Sequence, residues 1–146
     1  VVDVNAAVAA LADMGAAMDA ACREIVVDGA HIVQAASMGF APVGDRPGGG
    51  QLRRSIDVKG PRPSALGGWE AEVGPTVIYG RQRELGGHIF PVRATRLHWV
   101  DAAGVDHYAS HVYQHPEPYM KPGLASSRAA VYALAAEKVA AAIEGG

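Results

Sequence analysis

The sequence predicts an α+β fold: a long N-terminal helix, a small antiparallel β-sheet with a hairpin, a short helix, and a C-terminal helix packed on the sheet. Three observations predict it. Alanine-rich runs with apolar residues at three- and four-residue steps occupy both ends of the chain. Between them lie short stretches in which apolar and polar residues alternate, the period of a strand with one buried face. Glycine and proline cluster between these segments. Strands segregated between helices favour an antiparallel sheet with helices laid on it.

The first helix is expected from Val4 to about Ser37. Val4, Val8, Leu11, Met14, Met18, Cys22, Ile25, Ile32 and Ala36 form its apolar stripe, and Asp3 or Asn5 can cap its start. Gly15 and Gly29 each cost about 1 kcal/mol against alanine, which leaves room for a bend near Gly29. At about 1.5 Å per residue such a helix is roughly 50 Å long, longer than its own domain is wide, so part of it is expected to pack on a neighbouring copy. Gly39 ends it. The following loop contains Pro42, Gly44, Pro47 and three consecutive glycines, residues that supply positive φ or forbid a helix. The lysine and Ser/Thr of a phosphate-binding loop do not follow, so a mobile arm is the favoured reading.

Ser55 to Lys59 reads as a strand with Ile56 and Val58 on one face, closed by a turn at Gly60-Pro61-Arg62-Pro63. Trp69 to Val73 is a second strand with Trp69, Ala71 and Val73 inward, ended by Gly74-Pro75. Thr76 to Leu85 reads as a short helix stopped by Gly86-Gly87. Arg96–Val100 and Val105–Tyr113 form a hairpin around Gly104. His115-Pro116-Glu117-Pro118 breaks the second hairpin strand. Pro122 then suits the first turn of a last helix running to about Glu144, with Leu124, Val131, Leu134, Val139 and Ile143 as its stripe and Gly145-Gly146 beyond it. The expected organisation is one domain, 1–146: an N-terminal helix over 1–38, a Gly/Pro-rich loop over 39–51, a sheet region with a short helix over 52–114, and a C-terminal helix over 119–146.

Composition narrows the function. The 146 residues carry a net charge of −2, which gives no overall pull toward nucleic acid. Cys22 is the single cysteine, so neither an internal disulfide nor a Cys-rich zinc site is available, and a buried inert thiol is expected there. No stretch is apolar for long enough to span a bilayer, and no basic n-region or cleavage pattern opens the chain. Aromatics are only 6%, so a thin core is expected.

A search for chemistry finds little. His107, His111 and His115 are spaced by four, which would align them on a helix, but on a strand equivalent positions lie about 13 Å apart, too far to share a metal. His98 could face His107 across the hairpin, giving two ligands at most. No nucleophile elbow or zinc-protease motif occurs. Glu70 and Glu72 read as a solvated face. Glu84 follows Tyr79, Arg81 and Arg83 and reads as part of local charge pairs. Arg53, Arg54, Lys59, Arg62, Arg81, Arg83, Arg93 and Arg96 are expected to be solvated or paired; in a ring around DNA some would make sequence-blind phosphate contacts. No catalytic residue, resident metal or cofactor is expected. The readings weighed against a structural role are a metal-dependent hydrolase using the histidines and a small nucleic-acid-binding module.

The ordered elements are Pro42 with Gly50-Gln51-Leu52-Arg53-Arg54-Ser55-Ile56, then Val73-Gly74, then Tyr79-Gly80-Arg81-Gln82-Arg83-Glu84-Leu85-Gly86-Gly87, then His88-Ile89-Phe90-Pro91. The hairpin around Leu97-His98-Trp99 and Gly104 follows, and His115-Pro116 leads into Tyr119-Met120-Lys121-Pro122-Gly123-Leu124. Over nearly the whole chain this order resembles the HK97 gp10-like family of tailed-bacteriophage neck and tail-completion proteins. Gly49, Gly80 and Gly123 depart from it, standing where the family often has threonine, alanine and alanine.

The resemblance implies an α+β virion protein of the head–tail junction, as neck, tail-completion or tail-terminator subunit, made in the cytoplasm of a bacterial host. It implies a homo-oligomeric ring, six-fold like the tail tube, between head-connector proteins (portal, adaptor or stopper) and tail-tube proteins. DNA would pass through its channel without sequence-specific binding, and no membrane is involved. No catalytic residue is carried over. Leu52 and Ile56 would anchor the sheet, Tyr79, Glu84 and Gly86 would shape the short helix and its turn, and Pro122 and Leu124 would seat the last helix. The arm of Val43, Gly44, Asp45, Arg46, Pro47, Gly48, Gly49 and Gly50 would reach a neighbour, with Arg53, Arg54, Tyr79, Glu84 and Pro122 as further assembly positions. Deleting Gly44 to Gly49 is expected to leave the melting transition in place and to weaken self-association in light scattering. A variant that no longer folds would instead assign the loop to the core.

Overall fold

A computed structural model describes residues 4–44 and 49–145. Asp3, Asp45, Arg46, Pro47, Gly48 and Gly146, all singled out from the sequence, lie outside these. The architecture is α+β, as expected. The elements are α1 (Val4–Phe40), α2 (Gln51–Arg54), β1 (Ile56–Pro63), β2 (Trp69–Pro75), α3 (Gly80–Leu85), β3 (Gly87–Ile89), β4 (Leu97–Val100), β5 (Asp106–Ala109), β6 (Val112–Gln114) and α4 (Met120–Glu144).

Several boundaries differ from the sequence reading. The helix α1 runs through Gly39 to Phe40, because a single glycine costs only about 1 kcal/mol in a helix already held along its length. Gln51, at the end of the expected loop, and Leu52, Arg53 and Arg54, at the start of the expected sheet region, form α2 instead. The turn expected at Gly60-Pro61-Arg62-Pro63 lies inside β1. There the Gly60–Pro61 peptide is cis and the β1–β2 register shifts between Lys59 and Arg62, so the strand absorbs its prolines at an irregularity. The reversal comes later, at 64–68, where the Ser64 N–H donates to the Gly68 carbonyl at 2.9 Å.

The expected helix from Thr76 starts only at Gly80. The second hairpin strand is broken at Ser110–His111, and its far half, β6, pairs with β3 rather than with β4. Three two-stranded antiparallel sheets therefore replace one: β1–β2, β3–β6 and β4–β5. In the last of these His98 pairs with Tyr108, and His107 pairs with Trp99, so the facing of His98 and His107 expected across the hairpin does not occur.

The two long helices run antiparallel and make the largest contact in the fold. Small residues set their spacing. A Cβ on Gly123 would fall 2.6 Å from the Cα of Ser37, and one on Gly29 would fall 3.3 Å from a Val131 methyl carbon. Gly29 thus serves close approach. Further along, the Lys138 ammonium bridges Glu24 at 2.8 Å and Asp28 at 3.0 Å. In α4, Val131, Leu134 and Val139 are half-buried, whereas Leu124 and Ile143 at the ends of the stripe are exposed.

The β1–β2 sheet lies on α1, where the Trp69 indole N–H donates to Asp19 at 3.0 Å and Arg23 sits over the ring. The core is thin, as the low aromatic content implies: Ala41, Leu52, Ile56 and Tyr119 form it, with Met38, Val73, Val77 and Met120 closing around them. Met120 and Val73 are the point where α4 packs against the sheet. Cys22 is half-buried, less enclosed than expected.

The Ser37 hydroxyl is fully buried at the Gly123 crossing and has no hydrogen-bond partner among the described residues. Two substitutions at this crossing are expected to act in opposite directions. Gly123→Ala forces a methyl onto Ser37 backbone atoms and is expected to destabilise by about 1–3 kcal/mol. Ser37→Ala removes an unpaired buried hydroxyl and is expected to stabilise by about 1 kcal/mol. Urea denaturation of the two variants measures both.

Candidate functional site

The residues picked from the sequence fall into two connected groups. The first surrounds the loop after α1. Arg53 donates to the Ala41 carbonyl at 3.1 Å, and Arg54 donates to the Gly49 carbonyl at 3.0 Å. Two adjacent guanidinium groups thus hold the chain just before and just after the loop. Gly50 adopts φ 83° and accepts the Arg54 backbone N–H at 3.0 Å, which starts α2. Buried Leu52 then drops into the core, and Ile56 follows at the head of β1. Val43 is exposed. Val43, Gly44, Gly49 and Gly50 line a cleft of about 420 Å³ whose far wall is Tyr79, Arg83 and Glu117. The Tyr79 hydroxyl donates to Gln51 at 3.2 Å across it.

The second group is built on Glu84. This residue lies in the last turn of α3, yet its carboxylate accepts three backbone N–H groups from the start of α4: Tyr119 at 2.6 Å, Met120 at 2.9 Å and Lys121 at 3.0 Å. Pro122 has no N–H to satisfy, and the Gly123 N–H already donates to the Tyr119 carbonyl at 3.1 Å. All the N–H groups that a helix start leaves unpaired are therefore accounted for. The first turn of α4 has no acidic residue, and Tyr119 offers no side-chain cap, so a carboxylate from 35 residues upstream supplies both the cap and the negative charge that the helix N-terminus favours.

Burial alone would push the Glu84 carboxyl up. The three N–H donors and nearby Lys121 outweigh it, and the carboxyl titrates below its ordinary value.

Neighbouring groups lock this arrangement. Tyr119 is fully buried and its hydroxyl donates to the Gly80 carbonyl at 3.1 Å. Burial first, then the Glu84 charge, push that hydroxyl up to about 12, so it stays protonated as a donor. A Cβ on Gly80 would fall 2.6 Å from the Pro75 Cβ, so glycine is matched to Pro75 here. Gly86 has φ 67°, and a Cβ there would meet the Gln114 carbonyl at 2.7 Å and the Pro116 ring at 2.8 Å. The Glu117 N–H donates to the Arg83 carbonyl at 2.7 Å, and the Arg83 guanidinium pairs with the Glu117 carboxylate at 2.9 Å.

Glu84 was read from sequence as a locally paired charge, whereas its partners lie in another element. The sequence held one signal for that, an α4 start with no capping residue of its own.

The histidines do not converge on a metal. His98 contacts Asp106 at 2.5 Å and stacks on Tyr108, and His107 contacts Asp101 at 2.8 Å and stacks on Trp99. His88 and His111 pack with Phe90 and Tyr113 around the β3–β6 ribbon. Among the described residues no group of three or more His, Cys, Asp or Glu side chains could hold a metal ion. Arg62 pairs with Glu70 at 2.8 Å across β1–β2, and that hydrogen bond lowers the Glu70 carboxyl. No described helix is long and apolar enough to cross a membrane.

Because the folded-state pKa of Glu84 lies below its ordinary 4.5, its stabilising effect is fully present above that value and is lost as pH falls through the lower folded value. Glu84→Gln is expected to cost about 1–2 kcal/mol at neutral pH. The stability difference between Glu84→Gln and wild type is expected to shrink as pH falls below the ordinary glutamate value and through the lower folded value. Urea denaturation over a pH series measures the difference.

No family model, curated protein sequence or solved structure matches this chain.

Proposed function

We propose that this chain is a structural subunit of a tailed-phage head–tail junction, a neck, tail-completion or tail-terminator protein. Copies of it form a ring, six-fold like the tail tube, between head-connector proteins and the tail tube, and leave a channel through which DNA passes without sequence-specific contacts. In this reading the protein is made in the bacterial cytoplasm and ends in the virion, and it carries no catalytic step.

The observation that carries the reading is surface. The chain exposes 10170 Å², whereas a compact monomer of its 15.1 kDa mass exposes about 7,100 Å². The excess of about 3,000 Å² is the scale of two standard protein interfaces, which bury about 800 Å² on each partner, with area to spare. A subunit with a neighbour on either side uses surface in this way.

Two further points agree. The motif residues behind the family resemblance, Leu52, Ile56, Tyr79, Glu84, Gly86 and Pro122, all act here on the chain's own architecture. Glu84, the one acid that stood out in sequence, has its carboxylate engaged in three backbone contacts, which leaves it poorly suited to act as a general acid or base.

Light scattering over a range of protein concentrations tests the proposal. The expected result is a closed oligomer, six copies for a tail-matched ring, with a central hole in electron micrographs. A chain that stays monomeric alone and also fails to bind purified connector or tail-tube proteins would overturn it.

A further inference from the structure

The last residues of α4 lie beside Ala17 and Ala20 of α1, so the start of α1 projects beyond the rest of the molecule. Every residue from 4 to 16 is exposed. The projecting arm, Val4 to Met14, is about 16 Å long. It carries a continuous apolar stripe: Val4 is 68% exposed, Val8 60%, Leu11 66% and Met14 41%. Steps of four, three and three residues keep these side chains on one helix face.

The chain also holds a matching recess. An open, largely apolar groove of about 610 Å³ lies between α1, β2 and α4, lined by Ile25, Val33, Ala71, Val73, Leu124 and Val131. The arm cannot fill the groove of its own chain. Both belong to the single helix α1, and Leu11 is about 35 Å along that helix from the residues that face Leu124.

Charge selects the occupant. The only charged side chain of the arm is Asp13, so two arms laid against each other would bring like charges together. Two charged side chains line the groove, Glu70 and Lys121, and Glu70 is already paired with Arg62, so the charge left over there is positive. Lys121 and Arg128 lie seven residues apart on α4, on the face that carries Leu124 and Val131, and neither forms a salt bridge among the described residues.

We propose that the Val4–Met14 arm of one copy docks, apolar face down, into the α1–β2–α4 groove of the next copy. The contact is helix-in-groove and head-to-tail, the kind that repeats around a ring. It deepens the ring reading above by naming the surfaces that join the subunits, and it rests on that reading only for closure.

The test uses two full-length proteins, both with Cys22→Ser, one carrying Leu11→Cys and the other Leu124→Cys. Both new cysteines replace exposed residues, and circular dichroism checks that each protein folds. After mixing and mild oxidation the expected product is the Leu11→Cys/Leu124→Cys heterodimer, at least tenfold over either homodimer. In otherwise wild-type protein, Leu11→Asp is expected to weaken self-association at least tenfold without changing the circular dichroism. A predominant Leu11→Cys homodimer would mean arm-to-arm pairing and overturn the proposal. Absence of a cross-link at concentrations up to millimolar would overturn it as well. A ring that forms without the cross-link sinks this contact and leaves the junction reading standing. A cross-linked assembly that ignores connector and tail-tube proteins does the reverse.

Discussion

The fold turns on one carboxylate. Glu84 closes the N-terminus of α4 with three hydrogen bonds, and α4 in turn forms the largest contact in the molecule, with α1. Without that acceptor, the part-buried backbone donors of Tyr119 and Met120 would lose the hydrogen bonds they make here. The cap also explains the tight surroundings. Gly80 lets Tyr119 reach its carbonyl past Pro75, and Gly86 lets the chain pass Gln114 and Pro116. Arg83 and Glu117 hold the segment before α4 at the right distance. A six-residue helix, too short to be stable alone, is thereby fixed by the long helix it caps.

The contact between α1 and α4 is made with small residues, and this sets the character of the whole molecule. Gly29, Ser37 and Gly123 bring the two backbones close, and alanine fills much of the remainder. Close approach gains dispersion contacts but buries little apolar area per residue. The large side chains that would build a bulky core are instead spread over the outside: Val4, Val8 and Leu11 on the arm, Leu124 and Ile143 at the ends of α4. At Gly80 and Gly123 the space a methyl would occupy is taken by a close neighbour, Pro75 in one case and Ser37 in the other.

How much of this the sequence revealed follows from the range of each interaction. Helices α1 and α4, strands β1 and β2 and the β4–β5 hairpin were legible because periodicity and glycine–proline punctuation are local signals. The division into three ribbons was not. Residues 105–113 read as one strand because alternation says nothing about partners, and only the pairing of Val112 with Ile89 splits it. The His98–His107 facing failed by a single register step, which in a strand moves a side chain to the opposite face. At the candidate site, Arg53, Arg54, Tyr79, Glu84 and Pro122 were all picked out, but their partners were invisible. Glu84 meets Tyr119 across 35 residues, and Arg53 reaches back to Ala41 across 12. Spacing alone carries no record of such contacts.

A thin core and a large exposed area have a joint thermodynamic consequence. Burial supplies most of the free energy that opposes chain entropy, so a chain that leaves about 3,000 Å² more surface exposed than a compact monomer folds with a small margin. Any partner that binds the folded form alone adds to that margin by mass action. In the proposed assembly the exposed apolar side chains, a liability in the free chain, would become its contact surface. The apolar stripe of the Val4–Met14 arm and the apolar groove between α1, β2 and α4 both involve the single helix α1, so one molecule cannot bring them together, and the proposed docking between copies would use both at once.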